Sequence, residues 1–365
     1  MNLPSTVMAT SSLQAVTQSR GSKDHTRDPL SYTWRIGISG LLLHSLGLFG
    51  SVDNIFTGKT QPGCSGGFNC TEPSPEYEVV LAVLAGGPVG IGDGPYNANA
   101  DLIAMACTRT GQLLRPSKPL TVTDKALLST FDTLDELNLW SAFSTVANFH
   151  WHFLLNTFSA VPVNVSASDL VVEGGDDRKN NGANRKRSGL YEDDQPQVLY
   201  VAYTHRPWVS SNAALQLTLL GGDRQLYMPA LPQSKSNPRE KVYSLHVVAP
   251  VFASGWVLLG ELGKVAAVSE QRFKSIEHFN ITGTATAPPK TKGGSDDSRD
   301  DLVVTLWGSP AELVTVSLLP PGSATVDHLK ASSILHIECR IHPKTQDAKL
   351  ACGFGAAAGY VCDCT

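Results

Sequence analysis

The sequence predicts a multidomain α+β chain, α/β up to residue 124 and antiparallel β beyond it. Three observations lead there. The stretch from Ser74 to Asp124 alternates helical periodicity with a short apolar run and a glycine-rich loop. Near residues 120–130 the apolar period changes from helical to strand-like. Two polar stretches, 173–197 and 287–300, then break the β half, the first reading as a disordered surface insertion and the second as a linker. The expected units are 1–124, 125–283 and 301–365.

Ser74-Pro75-Glu76 is a helix start: a hydroxyl N-cap, proline at the first helical position, and an acid where the helix dipole favours one. Tyr77, Val80, Leu81 and Leu84 share a helical face, with a strand as the alternative because of the β-branched pair Val79-Val80. Residues 85–89 form a short apolar run broken by glycine and proline, and the loop from Gly90 to Pro95 carries one acid, Asp93. A second helix starts near Asn97 or Asn99, includes Leu102, Ile103 and Ala106, and stops at Gly111. Helix, strand, acid-bearing loop, helix is one βα step of an α/β barrel or a layered sheet. In both, the loop after a strand's C-terminal end is where ligands bind.

Upstream, residues 13–18 alternate as a strand, and a polar loop containing Asp24 follows. Residues 34–48 are apolar with helical spacing at Ile38, Leu41, Leu42 and Ser45. The uncharged run 36–52 is short for a membrane span and holds four glycines, so a buried helix is expected and no membrane span. Asp53 follows this helix, in a place that suits a turn.

With 42% hydrophobic and 17% charged residues the chain has material for sizeable cores. A net charge of −4 and the lack of a basic stripe give no reason to expect nucleic acid as a partner. There is no GxSxG elbow, P-loop lysine or HExxH, and Gly90–Gly94 lacks the spacing of a dinucleotide loop, so no cofactor is expected. His150 and His152 alternate along one strand and share a face, but no third ligand stands near them and no metal is expected.

Of seven cysteines, Cys64 and Cys70 flank a glycine-rich loop while Cys339, Cys352, Cys362 and Cys364 crowd the C-terminus. Four thiolates suit zinc, yet the CxxC knuckle spacing is absent. Three N-glycosylation sequons, at Asn69, Asn164 and Asn280, favour disulfides and an extracellular or secretory location. Residues 1–28 show no signal peptide, which with the sequons points to a chain truncated at its N-terminus.

GGPVGIGDGPYNANADLIAMACTRTGQLLRPSKPLT (residues 86–121) resembles the last barrel strand, its loop and its closing helix in alpha-galactosidase-like glycoside hydrolases. It resembles more closely a group of eukaryotic relatives of those enzymes, as does SGWVLLGELGKVAAVS (residues 254–269). The resemblance implies the C-terminal portion of a (β/α)-barrel followed by antiparallel β-sandwich domains. It also implies a carbohydrate-active protein, with a saccharide or glycoconjugate as partner. Asp93 and Asp53 would then contact sugar hydroxyls from neighbouring loops. Asp24 is what remains of a Ser-Asp-Asp loop that supplies the general acid/base; Lys23 stands where the first acid belongs, and an ammonium cannot take that role. The expectation is a C-terminal fragment that is inactive alone. The alternatives are a non-catalytic secreted glycoprotein or lectin-like module, with exposed tryptophans stacking on sugar rings, and a truncated, inactive paralogue. Glu261, between two glycines of the second motif, would need a partner if buried, and Lys264 is near in sequence.

Overall fold

Strand β1 (Gln18–Arg20) leads to helix α1 (Ile36–Ser45) and strand β2 (Phe49–Ser51), which pairs with β1 in parallel. The structure is a computed structural model describing residues 16–22, 36–61, 72–132, 137–170, 199–208, 215–232, 242–278, 300–324, 329–355 and 359–365. Helix α2 (Pro75–Leu84) follows, and Gly86 just beyond it bridges Gly50 in parallel, as Ile91 bridges Ile55. Three successive parallel segments separated by helices are what βα connectivity requires. Of the two options for residues 77–84 the helix is formed, and it is buried on every side, Glu78 included. Ser74 makes no side-chain cap; its carbonyl accepts the Tyr77 amide and its own amide donates to Glu72 Oε1 at 3.0 Å.

Helix α1 presents a different face from the one its spacing predicts. Ile38, Leu41 and Leu42 are 44%, 37% and 46% exposed, while Ile36, Gly37, Gly40 and Leu43 are buried. The cause is the helix's seat. It lies directly on β3 (Lys118–Val122), where a Cβ on Gly40 would come within 2.2 Å of the Leu120 carbonyl oxygen. A Cβ on Gly37 would meet the Trp140 indole at 2.8 Å. Only glycine permits so close an approach of backbone.

Helix α3 (Ala100–Ala104) is shorter than expected; Asn99 caps it, accepting from the Asp101 and Leu102 amides. After helix α4 (Asp124–Asp132) come β4 (Leu139–Val146), β5 (Phe149–Thr157), β6 (Val163–Val165), β7 (Tyr200–Thr204), β8 (Leu217–Leu220), β9 (Leu226–Met228) and β10 (Tyr243–Pro250). A six-stranded antiparallel sheet has the order β3-β4-β5-β10-β7-β8, and β6 and β9 form a small ribbon. Ala147 and Asn148, both at positive φ, turn β4 into β5. β3 therefore belongs to this sheet, so the antiparallel sheet begins at residue 118, inside the unit expected to end at 124.

The remaining strands are β11 (Val257–Gly260), β12 (Phe273–His278), β13 (Asp300–Trp307), β14 (Leu313–Leu319), β15 (Leu335–Arg340), β16 (Asp347–Gly355) and β17 (Gly359–Cys364). They form two antiparallel sheets, β11-β14-β15 and β12-β13-β16-β17. Strands β11 and β12 precede residue 283 yet pair with β14 and β13, so the last unit recruits them across the linker. Cys339 on β15 is bonded to Cys364 on β17, joining the two sheets, and Cys352 to Cys362 across neighbouring strands. One buried apolar cluster runs from Ile36 through α2, the six-stranded sheet and both C-terminal sheets to Cys352. No helix among the described residues is long and apolar enough to cross a membrane.

Candidate functional site

The loops after β2 and after the Gly86 segment lie side by side, and their register is fixed by a side chain. Asp93 accepts from the Thr57 amide at 2.9 Å, the Gly58 amide at 2.8 Å, the Thr57 hydroxyl at 2.9 Å and the Gln61 amide group. Gln61 Oε1 in turn accepts from the Gly94 amide at 2.8 Å, and Thr57 Oγ1 from the Asn99 amide. Thr57 and Asp93 are 36 residues apart, the same offset as the Gly50–Gly86 and Ile55–Ile91 bridges. Asp93 thus continues the parallel ladder with its side chain. Both carboxylate oxygens are occupied by this loop, so Asp93 holds the platform; the sequence pattern placed it there as a sugar contact.

Asp53, two residues past β2, pairs with Arg20 at the end of β1 at 3.1 Å, and its amide donates to Ser22 Oγ at 2.9 Å. Its carboxylate is about three-quarters buried, with side-chain exposure of 26%. Asp53 and Asp93 both follow the C-terminal ends of parallel segments. On the platform held by Asp93, Tyr96 takes a positive φ of 67° and its ring is fully exposed. A non-glycine residue in that conformation is uncommon and points to a fixed loop shape. Asn54, which lies against Gly90 and Gly92, and Ile91, which bridges Ile55, are also exposed in these two loops. Tyr96 was missed by sequence reading; the polar PYN turn hid an aromatic that only burial data reveal as outward.

The other expected residues fall variously. Asp24, Lys23, Asn69, Asn280, Cys64 and Cys70 lie outside the described residues. Asn164 is exposed on β6, as an acceptor for a glycan must be, with the Ser166 hydroxyl of its sequon bonded to Asp169. Glu261 is buried, and its partner is Arg272, at 2.7 Å, rather than Lys264. Lys264 instead ties off α3, donating to the carbonyls of Ala104 and Cys107.

His150 and His152 share a face with ring centres 6.4 Å apart. His150 Nδ1 is bonded to Thr145 Oγ1, and no group of three potential ligands exists among the described residues. His152 lines a cavity of about 750 Å³ with Lys118, Phe143 and Asp169. Burial first, then His150 and Lys118, lowers its pKa to about 3, so the ring is neutral at pH 7.

No protein-family model matches the chain, and no curated protein sequence matches it.

Proposed function

We propose that this chain is carbohydrate-active, the C-terminal part of a glycoside-hydrolase-like protein, and that alone it binds saccharide without hydrolysing it. One observation carries the reading: Asp53 and Asp93 both stand in loops that leave the C-terminal ends of parallel, helix-separated segments, followed in sequence by antiparallel sheets. That is the order the C-terminal part of a (β/α)-barrel followed by β-sandwiches would have. The likeness of residues 86–121 and 254–269 to alpha-galactosidase-like proteins supports it. Two disulfides and an exposed sequon are consistent with a secretory location.

Binding is favoured over hydrolysis by the state of the acids. Glycosidases of this kind place two carboxyl groups across the scissile bond. Here Asp93 is saturated by the neighbouring loop at Thr57–Gln61, Asp53 is paired with Arg20, and Lys23 replaces the expected acid. Asp53, Asn54 and Tyr96 are the contacts, Tyr96 as the flat face on which a pyranose ring lies. A lectin-like surface of tryptophans has less support, since among the described residues Trp140, Trp151 and Trp256 are buried and Trp307 alone is exposed.

Titration calorimetry with neutral galactosides and mannosides tests the reading. Binding is expected to weaken at least tenfold in Tyr96→Ala, with no release of nitrophenol from a nitrophenyl α-galactoside. No binding of any neutral glycan, or affinity indifferent to Tyr96→Ala, would overturn it.

A further inference from the structure

A cavity of about 860 Å³ opens where β7 and β10 of the six-stranded sheet meet the β14–β15 sheet, far along the chain from the platform around Asp93. Its volume is in the range of small-molecule sites. Arg206, Gln216, Ser244 and His246 line it together with the bonded pair Ser317 Oγ and His336 Nδ1, 2.9 Å apart. Among the described residues no aspartate or glutamate lines it, and Arg206 is the one fixed charge that does. Leu215, Tyr227, Leu231 and Ile334 supply apolar wall.

The polar groups in this wall are unusually idle. Tyr243 Oη, Ser244 Oγ and His246 Nδ1 are buried and have no hydrogen-bond partner among the described residues. Each such group costs roughly 1–3 kcal/mol of lost solvation, a cost removed when a ligand supplies the missing partner. Ser244 lies opposite Asn156 and His246 opposite Thr204 in the strand register, so the two side chains stand on one face of β10, two residues apart. His246 Nε2 is 3.4 Å from Thr204 Oγ1, leaving Nδ1 for another bond. Burial first, then Arg206, lowers the pKa of His246 to about 4. At pH 7 its ring is neutral and pairs with a hydroxyl rather than with a charge.

We propose that this cavity is a separate binding site for a carboxylated saccharide of one or two rings, a uronic acid or its glycoside. Arg206 takes the carboxylate, Ser244 and His246 take ring hydroxyls, and the apolar wall takes the C–H face of the pyranose. Neutral hydroxyl-matching groups with a lone cation and no acid discriminate against cationic ligands and favour a polyol with one negative charge. The choice of a sugar ring rests on the carbohydrate reading; the preference for an anion rests on the cavity alone.

Calorimetry at pH 7 with galacturonate, galactose and inorganic phosphate tests it on the full chain. Galacturonate is expected to bind at least tenfold more tightly than either of the others. Arg206→Gln, at an exposed position, should abolish that preference while leaving the fold intact. Ser244→Ala should weaken galacturonate severalfold. Tyr96→Ala should leave galacturonate affinity unchanged. Equal affinity for galactose and galacturonate overturns the proposal, as does phosphate binding as tight as galacturonate, or a preference that survives Arg206→Gln. The two readings separate cleanly. Neutral-glycan binding that needs Tyr96, with no uronate preference, removes only the cavity; uronate binding that needs Arg206, with no Tyr96-dependent glycan binding, removes only the platform.

Discussion

Gly40 rests on the carbonyl of Leu120 so closely that a methyl group on its Cα would sit 2.2 Å from that oxygen. Helix α1 and strand β3 thereby meet backbone to backbone, and this contact joins the α/β segment to the antiparallel sheet. Because the obstacle is main chain, it cannot turn aside as a side chain would. Gly40→Ala is expected to destabilise the protein by about 1–3 kcal/mol, even though alanine gains about 1 kcal/mol in intrinsic helix propensity. Leu42→Ser, on the exposed face of the same helix, should cost far less. Urea midpoints for the two variants check the contrast, and equal midpoints would refute it.

Asp93 is expected to govern the shape of the loop it grips. Charge-assisted hydrogen bonds contribute about 1.5–3 kcal/mol each, and Asp93 accepts from the amides of both Thr57 and Gly58. Asp93→Ala should raise the hydrogen-exchange rates of those two amides at least tenfold, while amides of β10 exchange as before. Saccharide affinity should fall with it, because Tyr96 loses its platform. Unchanged exchange at Thr57 would show that the loop stands without the carboxylate.

Arg272 is fully buried between Glu261 and Glu312, donating to the first through Nε at 2.7 Å and to the second through both terminal nitrogens. Glu312 also accepts from the Ser309 amide and, at 3.3 Å, from the Arg109 amide, so this cluster clamps residues 109–110 to the last unit. Burial alone would raise the pKa of Glu312, but the hydrogen bonds from Arg272 and Ser309 outweigh it and hold the carboxyl below its ordinary range. Arg272→Met leaves two buried carboxylates unpaired and should cost about 3–5 kcal/mol. Adding Glu261→Gln and Glu312→Gln should recover much of the loss. Thermal melts of the single and triple variants decide it; a single variant as stable as the parent would rule the clamp out.

How much of this was legible in the sequence depended on what each residue answers to. Helix α2 follows local rules, with a proline at its first helical position and acids in its first turn, and it forms, although Ser74 does not cap it through its side chain. The orientation of α1 does not follow local rules. Its apolar spacing at Ile38, Leu41 and Leu42 marks a stripe, but glycines made the better contact surface because a strand backbone lay beneath. Strand partnership was likewise hidden, since β11 and β12 pair with strands that lie beyond the linker. At the site, the spacing located Asp53 and Asp93 correctly at segment ends. It could not tell that Asp93 would be consumed by the neighbouring loop at Thr57–Gln61, or that Glu261 would choose Arg272 over the nearer Lys264, because both choices are made by chain folded in from elsewhere.

Three buried histidines make the fold sensitive to mild acid. Burial is the main cause in each case, lowering His205 and His246 to about 4 and His152 to about 3. In the unfolded chain they titrate near 6.5, so between that value and 4 the unfolded state binds more protons. Stability is therefore complete above pH 6.5 and falls as pH drops through the window, by up to about 1.4 kcal/mol per pH unit for each histidine. The depressed Glu312 adds to the loss only below the ordinary glutamate pKa near 4.5. Urea midpoints measured at pH 7.5, 6.5 and 5.5 should decline in that order, and His246→Gln should flatten the decline. A midpoint rising toward pH 5.5 would contradict the buried, neutral state of these rings.

The two disulfides should differ in what their removal does. Cys339–Cys364 joins two sheets, closing a separation of 25 residues, whereas Cys352–Cys362 joins adjacent strands already paired residue for residue and closes 10. If a bond stabilises chiefly by restricting the unfolded chain, the two should be worth nearly the same, about 2.5–3.5 kcal/mol, because the dependence on loop length is only logarithmic. The folded state separates them. Without Cys352–Cys362 the β16–β17 ladder still holds its register through backbone hydrogen bonds. Without Cys339–Cys364 no covalent link ties the edge strand β17 to β15, and only packing keeps the sheets together at that edge. Cys364→Ser should therefore leave β17 amides exchanging faster, while Cys362→Ser lowers the melting temperature with little change in their protection. Peptide mapping of the unreduced protein should show these two pairings and a free Cys107. Equal loss of β17 protection in both variants would mean that the ladder and the clip hold the edge together rather than separately.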